Sequence, residues 1–150
     1  MQPYATAAQA IARLSLSEAV MLTDRECTGD VDRDRLTAAL VSASVEIDSY
    51  IGTRYSIPVM LDPVPLTLVE ACIDMAVYKL SRGAVVLTEE VKSIYDRHVR
   101  WLKDVAAGKA SIGAPSPVAG ETPVETGDVV LFNAGSQRIF ARGVSDDSDG

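Results

Sequence analysis

The chain has 150 residues, a formal net charge of −7 and a pI near 4.6. This length suits one domain with an appendage, and such a domain buries roughly two-thirds of the surface that its unfolded chain exposes. The acidity opposes tight binding to nucleic acid, because phosphates are bound by clustered Lys and Arg. The sequence shows neither a leader pattern nor an apolar run near the ~20 residues that cross a bilayer, so we expect a soluble, non-secreted protein.

Two short helices are predicted near the N-terminus. Thr6 is a suitable N-cap for the first, and Ser15 or Ser17 for the second. The apolar positions at helical spacing are Ala10, Ile11 and Leu14 in the first helix and Ala19, Val20 and Leu22 in the second. Both helices are too short to be stable alone, so we expect them to dock on a larger body.

A longer third helix is predicted to begin after Asp30 or Asp32, either of which can cap it, and to end at Gly52. Its apolar stripe consists of Leu36, Leu40, Ala43, Ile47 and Tyr50. The next segment, residues 53–65, is called the strap. It cannot continue the helix, because prolines at positions 58, 63 and 65 lack an N–H donor and favour extended geometry in the residue before them.

Two further helices complete the predicted core. Pro65 suits the first turn of the fourth, which ends before Gly83, while Thr88 caps the fifth, which stops at Gly108. The buried face of the fourth is predicted to comprise Leu66, Val69, Ile73, Ala76, Val77 and Leu80. That of the fifth is predicted to comprise Val91, Tyr95, His98, Leu102 and Val105. The third, fourth and fifth helices should therefore pack together.

The composition changes after Gly108, since most of the ten glycines fall beyond it and the helical period is lost. We therefore divide the chain into a helical domain, residues 1–108, and an extended arm, residues 109–150, with a possible β-hairpin over residues 128–142. A two-stranded hairpin is marginal in water, so it needs another surface to pack on. The predicted fold class is all-α, a compact bundle of about five helices with an extended C-terminal arm.

The sequence carries no motif for nucleotide, zinc or acyl-transfer chemistry. The single histidine, His98, lies on an apolar stripe, so we assign it a structural role, and Cys27 and Cys72 lack metal-site spacing. Glu70 and Asp74 stand one helical turn apart and repel each other. Three roles are open for them: a solvated helix face, a salt bridge to an arginine of a neighbouring subunit, and acid–base work. We expect no catalytic residue, cofactor or metal.

The end of the third helix carries the sharpest candidate for a contact. Arg54 can make bidentate bonds to a carboxylate, with Asp48 as a possible partner, while the ring of Tyr55 wedges against the strap. This pair either anchors the strap within the chain or contacts another subunit.

Two further groups of cations are candidate contact sites. In the arm, strand alternation puts Arg138, Phe140 and Arg142 on one face, which suits an apolar pocket rimmed by carboxylates on a neighbouring chain. On the fifth helix, Arg97, Arg100 and Lys103 beside Trp101 are interrupted by acidic residues. That pattern is more typical of a salt-bridged exposed face than of a contact with an acidic protein or with DNA. The predicted interface residues are Asp48, Arg54, Tyr55, Glu70, Asp74, Arg138, Phe140 and Arg142.

Several motifs stand in a fixed order along the chain. They are Tyr4-Ala5-Thr6, Leu22-Thr23-Asp24-Arg25, Val31-Asp32, Ile47-Asp48-Ser49-Tyr50, Tyr55-Ser56-Ile57-Pro58, Pro65-Leu66, Asp74-Met75-Ala76-Val77-Tyr78-Lys79-Leu80, Tyr95, Trp101-Leu102-Lys103 and Gly108, with an echo at Arg138-Ile139-Phe140-Ala141-Arg142. Over about residues 4–112 this ordered set resembles the Mu-like prophage head-to-tail connector, or adaptor, family of tailed phages.

The resemblance implies a structural protein of the phage neck and no enzymatic activity. It implies a homo-oligomeric ring, usually of about twelve subunits, stacked between portal and tail. Its partners would be the portal protein and a tail-completion or terminator protein, and genomic DNA would pass through it without specific binding. Such a protein is made in the host cytoplasm and ends in the virion. The alternatives are a tail-completion or stopper protein of the same neck and, more distantly, a small helical DNA-binding regulator.

Overall fold

The computed structural model of the protein describes residues 2–84 and 87–113. Within these ranges the chain forms five helices and no strand: α1 (Ala7–Arg13), α2 (Leu16–Thr23), α3 (Arg33–Ile51), α4 (Leu66–Ala84) and α5 (Glu89–Ala106). The prediction of an all-α body with about five helices is confirmed for this part of the chain. The predicted hairpin over residues 128–142, with Arg138, Phe140 and Arg142, lies outside the described residues.

Helix starts follow the predicted capping side chains. The caps are Thr6 for α1, Ser15 for α2, Asp32 for α3 and Thr88 for α5, each accepting a hydrogen bond from a backbone N–H of the first turn at 2.9 to 3.3 Å. At Thr6 the side chain of Gln9 also accepts from the Thr6 N–H at 2.8 Å, which completes a capping box. The sequence offered two candidate N-caps for each of α2 and α3, and the structure uses Ser15 and Asp32.

The core lies between α3, α4 and α5, and α1 and α2 dock beside it. Helix α4 packs against α2, α3 and α5, so its buried surface is wider than one stripe and includes Leu68, Cys72 and Met75. The predicted burial of Leu66 is wrong: its side chain is 70% exposed, because it begins the helix outside the region where α4 is surrounded. Cys72 is fully buried and Cys27 is exposed, both as free thiols.

The strap is not helical, as expected, and its turns and bends return the chain from α3 to α4. The backbone N–H groups of Arg54 and Tyr55 both donate to the carbonyl of Ile51 at 2.9 Å, which closes the end of α3. Tyr55 and Val59 then enter the core, and the peptide bonds before Pro58 and Pro63 are cis.

The packed body continues past the end of α5. Gly108 turns the chain with φ of +76°, a conformation that glycine adopts without steric cost. Beyond it, Ala110 packs against the core and Ile112 is buried within it. The described body therefore includes a short segment that the sequence assigned to the arm.

Candidate assembly surfaces

Asp74 of α4 is the centre of a polar cluster that ties three helices together. Arg13 of α1 donates to both of its oxygens, from Nε at 3.3 Å and from Nη2 at 3.1 Å, and its Nη1 lies 3.1 Å from Glu70 Oε1. His98 of α5 places Nε2 at 2.8 Å from Asp74 Oδ2. An arginine of the same chain, Arg13, thus relieves the repulsion between Glu70 and Asp74. On the sequence alone, an arginine of a neighbouring subunit was a candidate for this role.

The electrostatics of this cluster hold Asp74 in its charged form. Burial alone would raise the pKa of Asp74, but the hydrogen bond from His98 and the charge and hydrogen bonds of Arg13 outweigh it and lower the pKa. An ionised carboxylate only accepts hydrogen bonds, so His98 donates from Nε2. Burial alone would lower the pKa of Arg13. The charges and hydrogen bonds of Asp74 and Glu70 outweigh burial, so the pKa of Arg13 is raised.

The same cluster offers little for catalysis. The side chains of His98 and Asp74 are 16% and 14% exposed, and the contacts that they make bind helix to helix. Among residues 2–84 and 87–113, no group of three or more His, Cys, Asp or Glu side chains is placed to hold a metal ion. The arrangement supports the structural role assigned to His98.

Asp48 lies under the strap, where it meets Tyr4. The Tyr4 hydroxyl donates to Asp48 Oδ1 and accepts from the backbone N–H of Val59 at 3.0 Å, while the Tyr4 N–H donates to Ser44 Oγ at 3.0 Å. Burial raises the pKa of Asp48 more than the Tyr4 hydrogen bond lowers it. The N-terminus, α3 and the strap are therefore joined through one side chain.

Arg54 and Tyr55 separate at the end of α3. Tyr55 is 4% exposed and belongs to the core, whereas the guanidinium of Arg54 lies against Gly108, just after α5. A Cβ built at Gly108 would stand 2.0 Å from Arg54 Nη1, so glycine is required for this approach. Both residues thereby hold the start of the strap against the rest of the chain, and a subunit contact for them stays a prediction.

A cluster of aromatic and charged side chains was not found by sequence reasoning. The rings of Tyr78 and Tyr95 stack at 3.9 Å between centroids, and the Tyr95 hydroxyl donates to Glu46 of α3. Glu46 also pairs with Lys79 at 2.7 Å, and the Arg82 guanidinium carbon lies 5.8 Å from the centre of the Tyr78 ring. The sequence did show one tyrosine on α4 and one on α5, which could have indicated this cluster. However, only the register of the packed helices brings the two rings together.

An open groove lies between the N-terminus and the strap. It has a volume of about 590 Å³ and is lined by Gln2, Pro3, Tyr4, Pro58, Val59, Met60, Leu61, Asp62 and Val64. Met60 is 87% exposed and neighbouring Ile57 is 51% exposed. Sequence reasoning missed this groove because its two sides come from distant parts of the chain, although the apolar residues between the prolines were a signal.

Exposed residues elsewhere are mixed in character. Arg97, Arg100 and Lys103 of α5 all face solvent, and Trp101 packs partly against the core. Among the described residues no ion pair involves Arg97, Arg100 or Lys103, so the salt-bridged face predicted for α5 is not formed there. No helix in the described part of the chain combines the length and hydropathy needed to cross a membrane.

Comparison with known proteins extends over both the body and part of the arm. The family model described as Bacteriophage Mu, Gp36 matches residues 4–131. The Mu-like prophage FluMu protein gp36 of Haemophilus influenzae is 32% identical over 115 residues, which cover 77% of this chain and 76% of that protein. Gene product J of Escherichia phage Mu is 35% identical over 118 residues, which cover 77% of this chain and 80% of that protein.

Proposed function

The chain belongs to the bacteriophage Mu Gp36 family, and from that premise we propose that it is a neck protein forming an oligomeric ring between the portal and the tail. Membership makes it a phage structural or morphogenesis protein. The observation that carries the proposal is the match to this family over residues 4–131 together with similarity to a protein of phage Mu itself. The partners are the portal protein on one side and a tail-completion or terminator protein on the other.

The helical body has the properties that a ring subunit needs. A ring closes through heterologous contacts, in which one surface of each subunit binds a different surface of the next. Large apolar side chains are exposed on separate elements, Leu16 and Met21 on α2 and Ile57, Met60 and Leu66 around the strap and the start of α4. Two such surfaces on a body tied by Asp74 and Tyr4 suit a rigid subunit that contacts neighbours on both sides.

The charge of the chain suits a passage for DNA more than a DNA-binding site. A net charge of −7 repels phosphates and gives DNA little reason to adhere to the wall of a channel. The exposed cations of α5 stand beside Asp96, Glu89 and Glu90, which weaken their local field.

The proposal is tested in a Mu-like prophage from which the gene has been deleted. We expect filled heads and separate tails that do not join, and restoration of joined particles when the wild-type chain is supplied. Labelling of the restored particles should then mark the neck in electron micrographs. Joined, infectious particles in the deletion strain would overturn the proposal.

Strains that still make the chain separate the two neck positions. In a strain that makes the chain but lacks tails, a protein that binds the portal stays with the purified heads. In a strain that makes the chain but lacks heads, a tail-completion protein stays with the purified tails. A chain found with tails and absent from heads would replace the proposed position with that of a tail-completion protein.

A further inference from the structure

We propose that the groove between Tyr4 and the strap is the acceptor for the segment Gln137–Arg142 of a neighbouring copy, with Phe140 entering the groove. This inference rests on the proposed function, because it supplies the contact that links one ring subunit to the next. It assigns the groove a partner of defined chemistry: an aromatic side chain between two arginines.

The groove is suited to hold a side chain without rearranging. Its volume of about 590 Å³ lies within the usual range of sites that take small ligands, and Pro58, Val59, Leu61 and Val64 give it an apolar lining. Two of its lining residues are held in place, because the Tyr4 hydroxyl bonds both to Asp48 of α3 and to the Val59 backbone of the strap. A site that is already ordered loses less entropy when a partner binds.

The rim of the groove matches the charge of the proposed occupant. Asp62 lines the groove and is exposed, and Met60 beside it is 87% exposed, so both are available to an incoming chain. Arg138 and Arg142 flank Phe140, and no other Lys or Arg follows Lys109 in the sequence. The remainder of the arm is acidic and would be repelled by Asp62. Gln137–Arg142 is thus the part of the arm that combines an aromatic anchor with positive charge.

The distance along the chain allows this contact. The described body ends at Gly113, and the chain from there to Phe140 extends up to roughly 90 Å. That reach exceeds the diameter of a domain of this size, so the segment can pass beyond its own body to the next subunit. A donor segment and an acceptor groove on the same chain are the two different surfaces that a heterologous contact requires.

Cysteine cross-linking between two full-length variants tests the inference. One carries Met60→Cys and the other Gln137→Cys, which leaves Phe140 and both arginines of the segment in place. In both variants exposed Cys27 is changed to serine, while Cys72 is left because it is fully buried. Leu16→Cys, on α2 and 66% exposed, replaces Met60→Cys as the matched control. Under mild oxidation we expect the Met60→Cys and Gln137→Cys pair to form the mixed disulfide dimer at least ~10-fold faster than the control pair, because docking raises the effective concentration of the two thiols.

The outcomes separate this inference from the proposed function. Equal rates of cross-linking in the two mixtures overturn the inference. A second result also overturns it: a single chain that carries both cysteines forms an internal disulfide, while the mixtures give no dimer. Particle joining by the wild-type chain is measured independently. If joining occurs without the selective cross-link, the inference fails and the neck function stands. If the cross-link forms but the deletion strain joins heads to tails unaided, the proposed function fails and the contact stands.

Discussion

The hydroxyl of Tyr4 donates a hydrogen bond to the carboxyl group of Asp48, a residue 44 positions away in the sequence and one turn before the end of α3. The same hydroxyl accepts a hydrogen bond from Val59 of the strap. Tyr4 is 5% exposed and Asp48 is 6% exposed, so the polar atoms involved have little access to water. Each of them therefore depends on the others for its hydrogen bonds.

Tyr4→Phe should lower the free energy of unfolding by about 1–3 kcal/mol, because the ring still packs while the Asp48 carboxyl and the Val59 N–H lose their shared partner. Urea unfolding followed by circular dichroism measures the loss. Tyr78→Phe, in a half-buried stacked ring, is the matched control and should cost less. A loss no larger than in this control would show that the Tyr4 hydroxyl contributes nothing specific to the fold.

The carboxyl groups of Asp74 and Asp48 should give opposite dependences of stability on pH. The lowered pKa of Asp74 means that its stabilising effect is full above the unfolded value of about 4 and is lost as the pH falls through the folded value. The raised pKa of Asp48 means that its contribution is present below about 4 and is lost as the pH rises through the folded value.

Relative to the wild type, Asp74→Asn should therefore be less stable at neutral pH, with a gap that narrows toward pH values below about 4. Asp48→Asn keeps an acceptor for Tyr4, and its stability should rise relative to the wild type between about pH 4 and neutrality. Melting temperatures across this range measure both. Parallel profiles for the two variants would contradict the assignment of their environments.

Gly108→Ala should destabilise the protein more than Gly29→Ala. Both glycines have positive φ, +76° and +84°, so alanine at either position carries a conformational cost of about 1–2 kcal/mol. At Gly29 no atom lies within 4 Å of the added Cβ, whereas at Gly108 it displaces the guanidinium of Arg54.

A double-mutant cycle isolates that displacement. When Arg54→Ala is already present, the additional cost of Gly108→Ala should fall to that of Gly29→Ala, giving a coupling of about 1 kcal/mol in unfolding experiments. Strictly additive losses in the free energy of unfolding would mean that the contact between Arg54 and Gly108 contributes nothing to stability. Arg54→Lys should not restore wild-type stability, since an ammonium lacks the planar shape and donors of the guanidinium.

Phe140→Ala should leave the free energy of unfolding within about 0.5 kcal/mol of the wild type and reduce the yield of joined particles. Phe132→Ala is the matched control, since it removes the same side chain from a position with no neighbouring cation. Unfolding curves and particle counts are measured for both. A strongly destabilised Phe140→Ala chain that still assembles normally would show that Phe140 packs within its own subunit.

We also propose that the helical body is an autonomous domain and that it extends past the end of α5 to include Ile112. A chain stopped after Gly113 should fold as a helical monomer, whereas one stopped after Gly108 loses buried Ile112 and should be less stable by about 2–5 kcal/mol. Circular dichroism with urea measures both. Equal stability of the two truncated chains would move the end of the domain back to the end of α5.

Local signals in the sequence predicted much of the fold, since helix starts depend on neighbouring residues. Thr6 and Thr88 cap the helices that they were expected to cap, and Gly52 follows α3 as predicted. The exposure of Leu66 was not predicted, because an apolar residue at helical spacing does not reveal where the neighbouring helix ends. The partner of Glu70 and Asp74 was also not identified, because Arg13 reaches them only after α1 docks on α4.

The placement of Gln2 and Pro3 along the groove has a practical consequence for handling the protein. A purification tag fused at the N-terminus would emerge beside the opening of the groove, where its residues would compete with any segment that binds there. Loss of oligomerisation in an N-terminally tagged preparation would then reflect the tag and not the protein. Preparations for assembly studies should carry a tag that is cleaved before residue 2 or should be purified without one.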